Sequence, residues 1–247
     1  MRVIFSIYSW GTYLLLGAIY VVAMAPVTIF AELTGRRYPC LFMAANAKFF
    51  RSWILVLFFV RRSVRNVDTI AEARKKNGRL IIVCNHQSLL DVAFIYPYIT
   101  PFFSFVKNSF SRVPFMRLYI KHSGYIFVDV SNPVNMKMAY DSARRRIENK
   151  ETILLFPEGT RTGGAKMNEF KDGAFRLAVD TKATIIPMAV SGTCDFVQNR
   201  SIIMTKRPPH YFTLQVGEPI EHSEYGDDAG IAKTLAKERI ERMLMAR

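Results

Sequence analysis

The chain has 247 residues, half of them apolar, and its formal net charge is +14 at pH 7. This length allows one large α/β domain with an appended segment. Such a basic composition usually indicates nucleic-acid binding. However, the sequence contains no nucleic-acid motif, and its basic residues cluster beside apolar stretches, which favours an anionic lipid surface as the partner.

The first predicted element is an apolar helix. Residues 3–31 carry no charged side chain, and at ~1.5 Å per residue a helix of that length can span a bilayer. The run is too long for a signal peptide, and no small-residue cleavage site stands out. Pro26 is expected to end or kink this helix. Either the segment spans with its amino terminus outside, or it dips into one leaflet and returns.

A second apolar stretch covers residues 38–60 and is interrupted by Lys48 and Arg51. Basic clusters flank it on both sides, and each favours the cytoplasmic side of a membrane; they are Arg36 and Arg37, then Arg61, Arg62 and Arg65. The stretch is therefore expected to lie in the interface rather than to cross it. We predict a membrane-associated helical pair over residues 1–65, buried in one leaflet, with the domain of residues 66–247 on the cytoplasmic side.

The remainder of the chain alternates between two kinds of segment. Residues 66–78 form a polar bridge that ends in an Asn-Gly turn signal. Beyond it, apolar or β-branched runs predict strands at 80–84, 102–106, 125–129, 152–156, 184–190 and 211–216. Helix-like segments lie between or after them at 134–148, 170–181 and 229–245. This alternation predicts an α/β fold with a mostly parallel or mixed sheet flanked by helices.

The motif NHQSLLD at residues 85–91 directly follows a predicted strand, where open α/β sheets bind their ligands. His86 is the candidate general base, since an imidazole nitrogen can accept the proton of an aliphatic hydroxyl in the transition state. Asp91 is the candidate orienting group, because a carboxylate bonded to Nδ1 fixes the tautomer and stabilises the imidazolium. The alternative is structural: Ser88 and Asp91 also have the spacing of a helix capping box.

The motif FPEGTR at residues 156–161 follows another predicted strand. Arg161 offers a bidentate fork to a phosphate, and Gly159 permits close approach of the backbone. Thr160 is a candidate hydrogen-bond donor to the substrate, and Glu158 is a candidate to hold Arg161 or the substrate in place. The alternative is a surface turn with an exposed Glu–Arg pair.

Lys107 directly follows the predicted strand 102–106 and is a second candidate for the phosphate, although an isolated solvated lysine would look the same in sequence. The cysteines at positions 40, 84 and 194 are widely spaced and odd in number, which predicts neither a disulfide framework nor a metal site. They are expected to be buried, reduced thiols.

The two motifs, with blocks at 124–129 and 185–187, resemble the membrane glycerolipid acyltransferases, and above all their 1-acylglycerol-3-phosphate acyltransferase branch. The chain departs from that pattern at Val130, where the family commonly has Arg. The resemblance implies transfer of a fatty acyl group from an acyl thioester, acyl-CoA or acyl carrier protein, to the sn-2 hydroxyl of 1-acylglycerol 3-phosphate (lysophosphatidic acid). The product would be phosphatidic acid, and no metal or other cofactor would be needed.

Three alternatives remain at the level of sequence. The acceptor could be glycerol 3-phosphate or another lysophospholipid. A membrane-attached esterase could use Ser88 with His86 and Asp91, but the serine lacks the Gly-x-Ser-x-Gly elbow that exposes a hydrolase nucleophile. A non-enzymatic protein that binds membrane lipid would explain the charge and the apolar amino terminus, but it leaves the order of the two motifs unexplained.

Overall fold

A computed structural model of the chain describes residues 2–36, 38–57, 59–109, 120–164, 166–196 and 203–246. The chain begins with a helical pair, α1 (Arg2–Thr34) and α2 (Pro39–Val56). The helix α1 continues through Pro26, so the prediction that it could end there is wrong. A proline ring removes one backbone donor from the helical ladder, and the turns on either side of it stay helical here.

Five strands form a mixed sheet in the order β1-β7-β6-β2-β5. They are β1 (Val60–Arg65), β2 (Leu80–Cys84), β5 (Ile153–Leu155), β6 (Thr184–Ser191) and β7 (His210–Val216). All neighbouring pairs are parallel except β6 with β7. Two short strands, β3 (Phe105–Lys107) and β4 (Ile126–Val128), pair in parallel as a separate sheet. A parallel bridge from Phe103 to Ile153 joins this pair to the edge at β5.

In the part of the chain that the structure describes, seven further helices pack around the sheet or follow its strands. They are α3 (Asp68–Lys76), α4 (Leu90–Ile99), α5 (Pro133–Glu148), α6 (Gly173–Thr181), α7 (Thr193–Phe196), α8 (His222–Tyr225) and α9 (Ala229–Met245). The predicted α/β class and mixed sheet are confirmed, and the ends of α9 agree with the prediction. The helix predicted over 170–181 begins three residues late, and the strand predicted over 102–106 is displaced to Phe105–Lys107.

The strand β1 was not predicted as a strand, and the helix α3 was not predicted as a helix. Half of β1 is arginine, and its residues do not alternate between buried and exposed, so only its pairing with β7 makes it a strand. The helix α3 lies within the segment read as a polar bridge and buries only Ile70 and Ala73. The domain boundary predicted at residue 65 falls at the end of β1, whose residues are part of the sheet.

The strand β2 lies between β6 and β5 and is buried along its whole length, as expected for a parallel strand covered on both faces. Its side chains alternate between two hydrophobic clusters. Leu80, Ile82 and Cys84 pack in the cluster that contains Phe94 of α4, and Ile81 and Val83 pack in the cluster on the other face. Because packed side chains fill both faces of β2, this strand is rigid, and the loop that follows it starts from a fixed position.

The helix α1 presents apolar side chains that the rest of the protein does not cover. Ile4, Leu14, Val22 and Leu33 are each at least two-thirds exposed. Among the described residues, α1 is the one helix whose length and composition would let it cross a membrane. Its exposed apolar surface is what a helix in contact with lipid needs.

A chain of polar side chains connects the helical pair with the domain. Tyr20 of α1 donates to Oδ1 of Asn46 at 2.8 Å, and Nδ2 of Asn46 donates to the hydroxyl of Tyr96 at 3.0 Å. The hydroxyl of Tyr125 also donates to Tyr96, at 2.7 Å. Asn46 and Tyr96 are buried, so these bonds specify how α1 and α2 sit against α4.

We predict that Phe94→Ala lowers the free energy of unfolding by about 3–5 kcal/mol, because it leaves a cavity under α4 in a fully buried cluster. Thermal or denaturant unfolding in detergent measures the change. Val134→Ala is the matched control, since this side chain is 69% exposed and should change stability by less than about 0.5 kcal/mol. Equal effects of the two substitutions would contradict the described packing of α4.

Candidate active site

The loop after β2 is fixed to the neighbouring strand before it reaches His86. The buried side chain of Asn85 donates to the carbonyl of Val190 at 2.9 Å, and its Oδ1 accepts from the Val190 amide at 2.8 Å. The side chain of Asn85 thus bonds Val190 as the backbone of a neighbouring strand would, and it extends the hydrogen bonding of β6 into the loop. His86 therefore begins from a fixed backbone position at the carboxyl end of the sheet.

The side chains of His86 and Asp91 are in contact, as the motif spacing predicted. Nδ1 of His86 lies 2.8 Å from Oδ2 of Asp91. The same oxygen accepts from the amides of Gln87 at 2.6 Å and Ser88 at 2.9 Å. Because a carboxylate accepts, Nδ1 carries the proton and Nε2 keeps its lone pair. The capping-box alternative is present in part: Asp91 accepts from the Ser88 amide, and the Ser88 hydroxyl accepts from the Leu90 amide at 3.4 Å, although Leu89 is the N-cap of α4 and has no side-chain cap.

Thr193 completes the surroundings of Asp91, and no pattern in the sequence indicated this role. Its hydroxyl donates a short hydrogen bond to Oδ1, the carboxylate oxygen that faces away from His86. Asp91 and Thr193 are both fully buried. Thr193 begins α7 beyond the end of β6, so the contact arises from the sheet order that places β6 beside β2.

The ring of His86 is partly open to solvent. It stacks on Phe156 with ring centroids 4.2 Å apart, and 17% of its side chain is exposed. Asp91 holds one edge and Phe156 covers one face, so the remaining access is limited. An imidazole in this setting can exchange a proton with a bound ligand while its orientation stays fixed.

Glu158 belongs to the second motif and bonds the backbone of the first motif on the buried side of the loops. It is buried, its Oε1 accepts from the His86 amide at 2.7 Å, and its Oε2 accepts from the Asn168 amide at 2.8 Å. Both oxygens thus bond the protein's own backbone, whereas the sequence predicted a contact with substrate or Arg161. Burial raises the pKa of Glu158, and the two amide donors offset part of that rise.

Backbone hydrogen bonds hold the two motif loops together. The amide of Thr162 donates to the carbonyl of His86 at 2.9 Å, and the amide of Gly163 donates to the carbonyl of Gln87 at 3.0 Å. Arg161, which is half-buried, immediately precedes Thr162 in the chain. The structure therefore places the backbone of Arg161 beside the His86 loop, on the same edge of the sheet.

The turn before Arg161 is open to solvent. Gly159 has φ +69°, a conformation that favours glycine, and both Gly159 and Thr160 are exposed. Lys107 is exposed at the end of β3. Because β3 runs parallel to β5 through the bridge at Phe103, Lys107 lies toward the same carboxyl edge as the turn. Sequence reasoning missed one more cation there: Nζ of Lys171 lies 2.8 Å from where a methyl group on Gly159 would be.

Two buried thiols lie beneath the loops. Burial, with a smaller contribution from Asp91 and Glu158, raises the pKa of Cys84 well above its ordinary value, and burial also raises that of Cys194. Both are therefore neutral thiols. Cys40 is exposed in the first turn of α2, so the prediction that all three cysteines are buried is wrong.

In the described ranges no three His, Cys, Asp or Glu side chains gather as a metal site would require.

An open cavity of about 290 Å³ adjoins the two loops on the side of α9. Asn85, Gln87 and Thr162 line it from the loops, and Leu244 lines it from the end of α9. The site therefore has room for a ligand next to the backbone on both sides of His86.

Comparison with known proteins places this arrangement in context. The model of a family described as acyltransferase matches residues 61–191. The 1-acyl-sn-glycerol-3-phosphate acyltransferase of Borreliella burgdorferi is 31% identical over 54% of this chain and 54% of that protein. The enzyme of the same name from Saccharomyces cerevisiae is 34% identical over 53% of this chain and 45% of that protein. These alignments thus span about half the length of the curated relatives.

A solved structure extends the comparison to the whole fold. The 1-acyl-sn-glycerophosphate acyltransferase PlsC from Thermotoga maritima superimposes with a TM-score of 0.79 and 22% identity, over 100% of this chain and 99% of that one. The likeness therefore includes the amino-terminal helical pair as well as the sheet.

We predict that Thr193→Val lowers the free energy of unfolding by about 1–3 kcal/mol, because Oδ1 of the buried Asp91 loses its hydrogen-bond donor. Denaturant unfolding measures the change. Thr234→Val is the control, since its hydroxyl only donates to the Gly230 carbonyl on the exposed surface of α9. A loss no larger than that of the control would show that Oδ1 does not depend on Thr193.

Proposed function

Because this chain belongs to the acyltransferase family, we propose that it transfers a fatty acyl group from an acyl thioester to the sn-2 hydroxyl of 1-acylglycerol 3-phosphate, giving phosphatidic acid. The contact between His86 and Asp91, set beside the turn that carries Arg161, is the observation that supports this most strongly. The names of the curated relatives support the choice of acceptor.

In the proposed reaction, the acceptor hydroxyl attacks the thioester carbonyl carbon while Nε2 of His86 takes its proton. Asp91 stabilises the imidazolium that forms and keeps Nε2 directed at the hydroxyl. The carbon–sulfur bond then breaks, and the leaving thiolate receives the proton from Nε2. A positioned base of this kind contributes about 10²–10⁴-fold. The acyl group passes directly to the acceptor oxygen, so no acyl-enzyme intermediate is needed.

Arg161 and Lys107 are the proposed partners of the acceptor phosphate. A guanidinium matches two phosphate oxygens at once, and an ammonium adds a point charge. Thr160 is exposed next to Arg161 and can donate a hydrogen bond, and Gly159 is exposed in the same turn beneath the side chain of Lys171. Glu158 contributes indirectly in this scheme, because its carboxylate holds the backbone of His86.

The donor is proposed to be acyl-CoA or an acyl carrier protein, and a basic surface suits either polyanion. A thioester is already activated, so the proposed reaction uses no metal or redox cofactor. The exposed apolar surface of α1 supports an acceptor that is drawn from the bilayer. Arg36 is exposed between α1 and α2, and Arg61 and Arg62 are exposed on β1, which follows α2. This distribution supports burial of the pair in one leaflet with the sheet on the cytoplasmic side.

The two other classes of function are less well supported. An esterase would need an exposed serine, but Ser88 is 1% exposed and its backbone amide bonds Asp91. A lipid-binding protein without activity would not need four donors around a buried carboxylate next to a partly open imidazole. A serine-directed phosphonate should therefore form no adduct with the protein.

We predict that His86→Ala lowers acyl transfer by at least about 10³-fold and that Asp91→Asn lowers it by about 10²–10⁴-fold. Free thiol release from acyl-CoA in the presence of lysophosphatidic acid measures the rate on purified protein in lipid. His222→Ala is the control, because His222 begins α8, near the amino end of β6 and away from the site. Turnover of His86→Ala at the rate of the control would rule out the proposed base.

We also predict that Arg161→Met raises the KM for lysophosphatidic acid by about tenfold or more, the loss expected for a charge-assisted hydrogen bond. Any transfer to 1-acylglycerol, which lacks the phosphate, should be unchanged. Arg144→Met is the control, since Arg144 is exposed on α5 and pairs with Glu148. An equal loss with both acceptors would place Arg161 outside the phosphate site.

A further inference from the structure

Lys171 lies over the turn of the second motif, at Gly159, although it belongs to neither motif. Its amide donates to the carbonyl of Pro157 at 2.9 Å, so its backbone is attached to the first residues of the turn. Its side chain extends across Gly159: a methyl group there would be 2.8 Å from Nζ and 3.0 Å from Cε. The ammonium therefore covers the one position of the turn that has no side chain.

The acidic neighbours of Lys171 are occupied by other cations. Oε1 of Glu169 accepts from Lys237 at 2.7 Å, and Oδ1 of Asp172 accepts from Lys233 at 2.7 Å. Both of these lysines come from α9. Among the residues that the structure describes, no carboxylate forms an ion pair with Lys171. The helix α9 thus neutralises the two acids that stand closest to Lys171 in the chain.

The third acid near the turn is also unable to neutralise Lys171. Both oxygens of Glu158 accept from backbone amides, and its side chain is buried on the inner side of the loop. The ammonium of Lys171 therefore faces the open side of the turn as an uncompensated positive charge. An exposed ammonium of this kind at the turn matches a phosphate oxygen.

We propose that Lys171 binds a phosphate group above Gly159, as a cation of the site additional to those in the two motifs. This inference rests on the proposed function, in which the turn receives a phosphorylated ligand. Two sources carry suitable phosphate: the acceptor with its monoester, and the donor with the phosphates of its CoA or carrier arm. The shared chemistry is that of a phosphate oxygen with an ammonium, and separate titrations of the two substrates distinguish the sources.

The experiment compares Lys171→Met and Lys171→Arg with the wild-type chain in lipid vesicles. Lys171→Met should raise the KM of one phosphorylated substrate about tenfold or more and leave kcat within about twofold. A rise for lysophosphatidic acid identifies the acceptor phosphate, and a rise for acyl-CoA identifies the donor. Lys171→Arg should restore most of the lost affinity, because it keeps the charge. Both KM values within about twofold of wild type would overturn the proposal.

Lys75→Met is the matched control. Lys75 is exposed on α3 and, within the described chain, forms no ion pair, but it precedes the amino end of β2 and so lies on the opposite edge of the sheet. Its removal changes the net charge equally and should leave both KM values unchanged. If Lys75→Met raises KM as much as Lys171→Met, the effect is one of overall charge and the inference fails.

A binding measurement separates this inference from the proposed function. With His86→Ala as background, equilibrium binding of lysophosphatidic acid and of acyl-CoA can be followed without turnover. Lys171→Met in that background should weaken the binding of one of them about tenfold, even if the wild-type chain proves not to transfer acyl groups. Unchanged binding of both ligands would overturn the role of Lys171 and leave the assignment of His86 to be judged by activity.

Discussion

The structure of the site depends on one buried carboxylate, that of Asp91, which four donors surround. A buried charge without partners would be strongly destabilising, so the donors and the carboxylate must be positioned together. Three donors come from residues 86–88 and the fourth from Thr193. The charge therefore connects the loop after β2 with α4 and α7, and it sets the direction of the His86 ring before any ligand binds.

The acidic side chains of the site are buried, and its basic side chains lie at the exposed edge. Asp91 and Glu158 are buried and bond the backbone of the motif loops, so their charge is used to hold His86 in place. The cationic side chains of Lys107 and Lys171 are exposed at the open edge of the site. This separation lets the site offer positive charge to a ligand while its negative charges stay internally compensated.

The helical pair is connected to the same centre through α4. Asn46 of α2 bonds Tyr96 of α4, and the first turn of α4 carries Asp91. The position of α2 and the position of the carboxylate are therefore specified by one helix, α4, which packs against β2. For an acceptor that resides in the bilayer, this connection fixes the distance between the apolar surface of α1 and the imidazole.

Local features of the sequence were enough to determine much of the fold and part of the site. Apolar runs marked β2 and β6, a helix-like charged stretch marked α9, and the spacing of His86 and Asp91 indicated a contact that is present at 2.8 Å. Only the tertiary structure decided β1, the inner position of Glu158, and the proximity of Thr193 and Lys171 to the motifs. These features depend on which strands become neighbours and which acids find partners, and such long-range pairing leaves no local pattern in the chain.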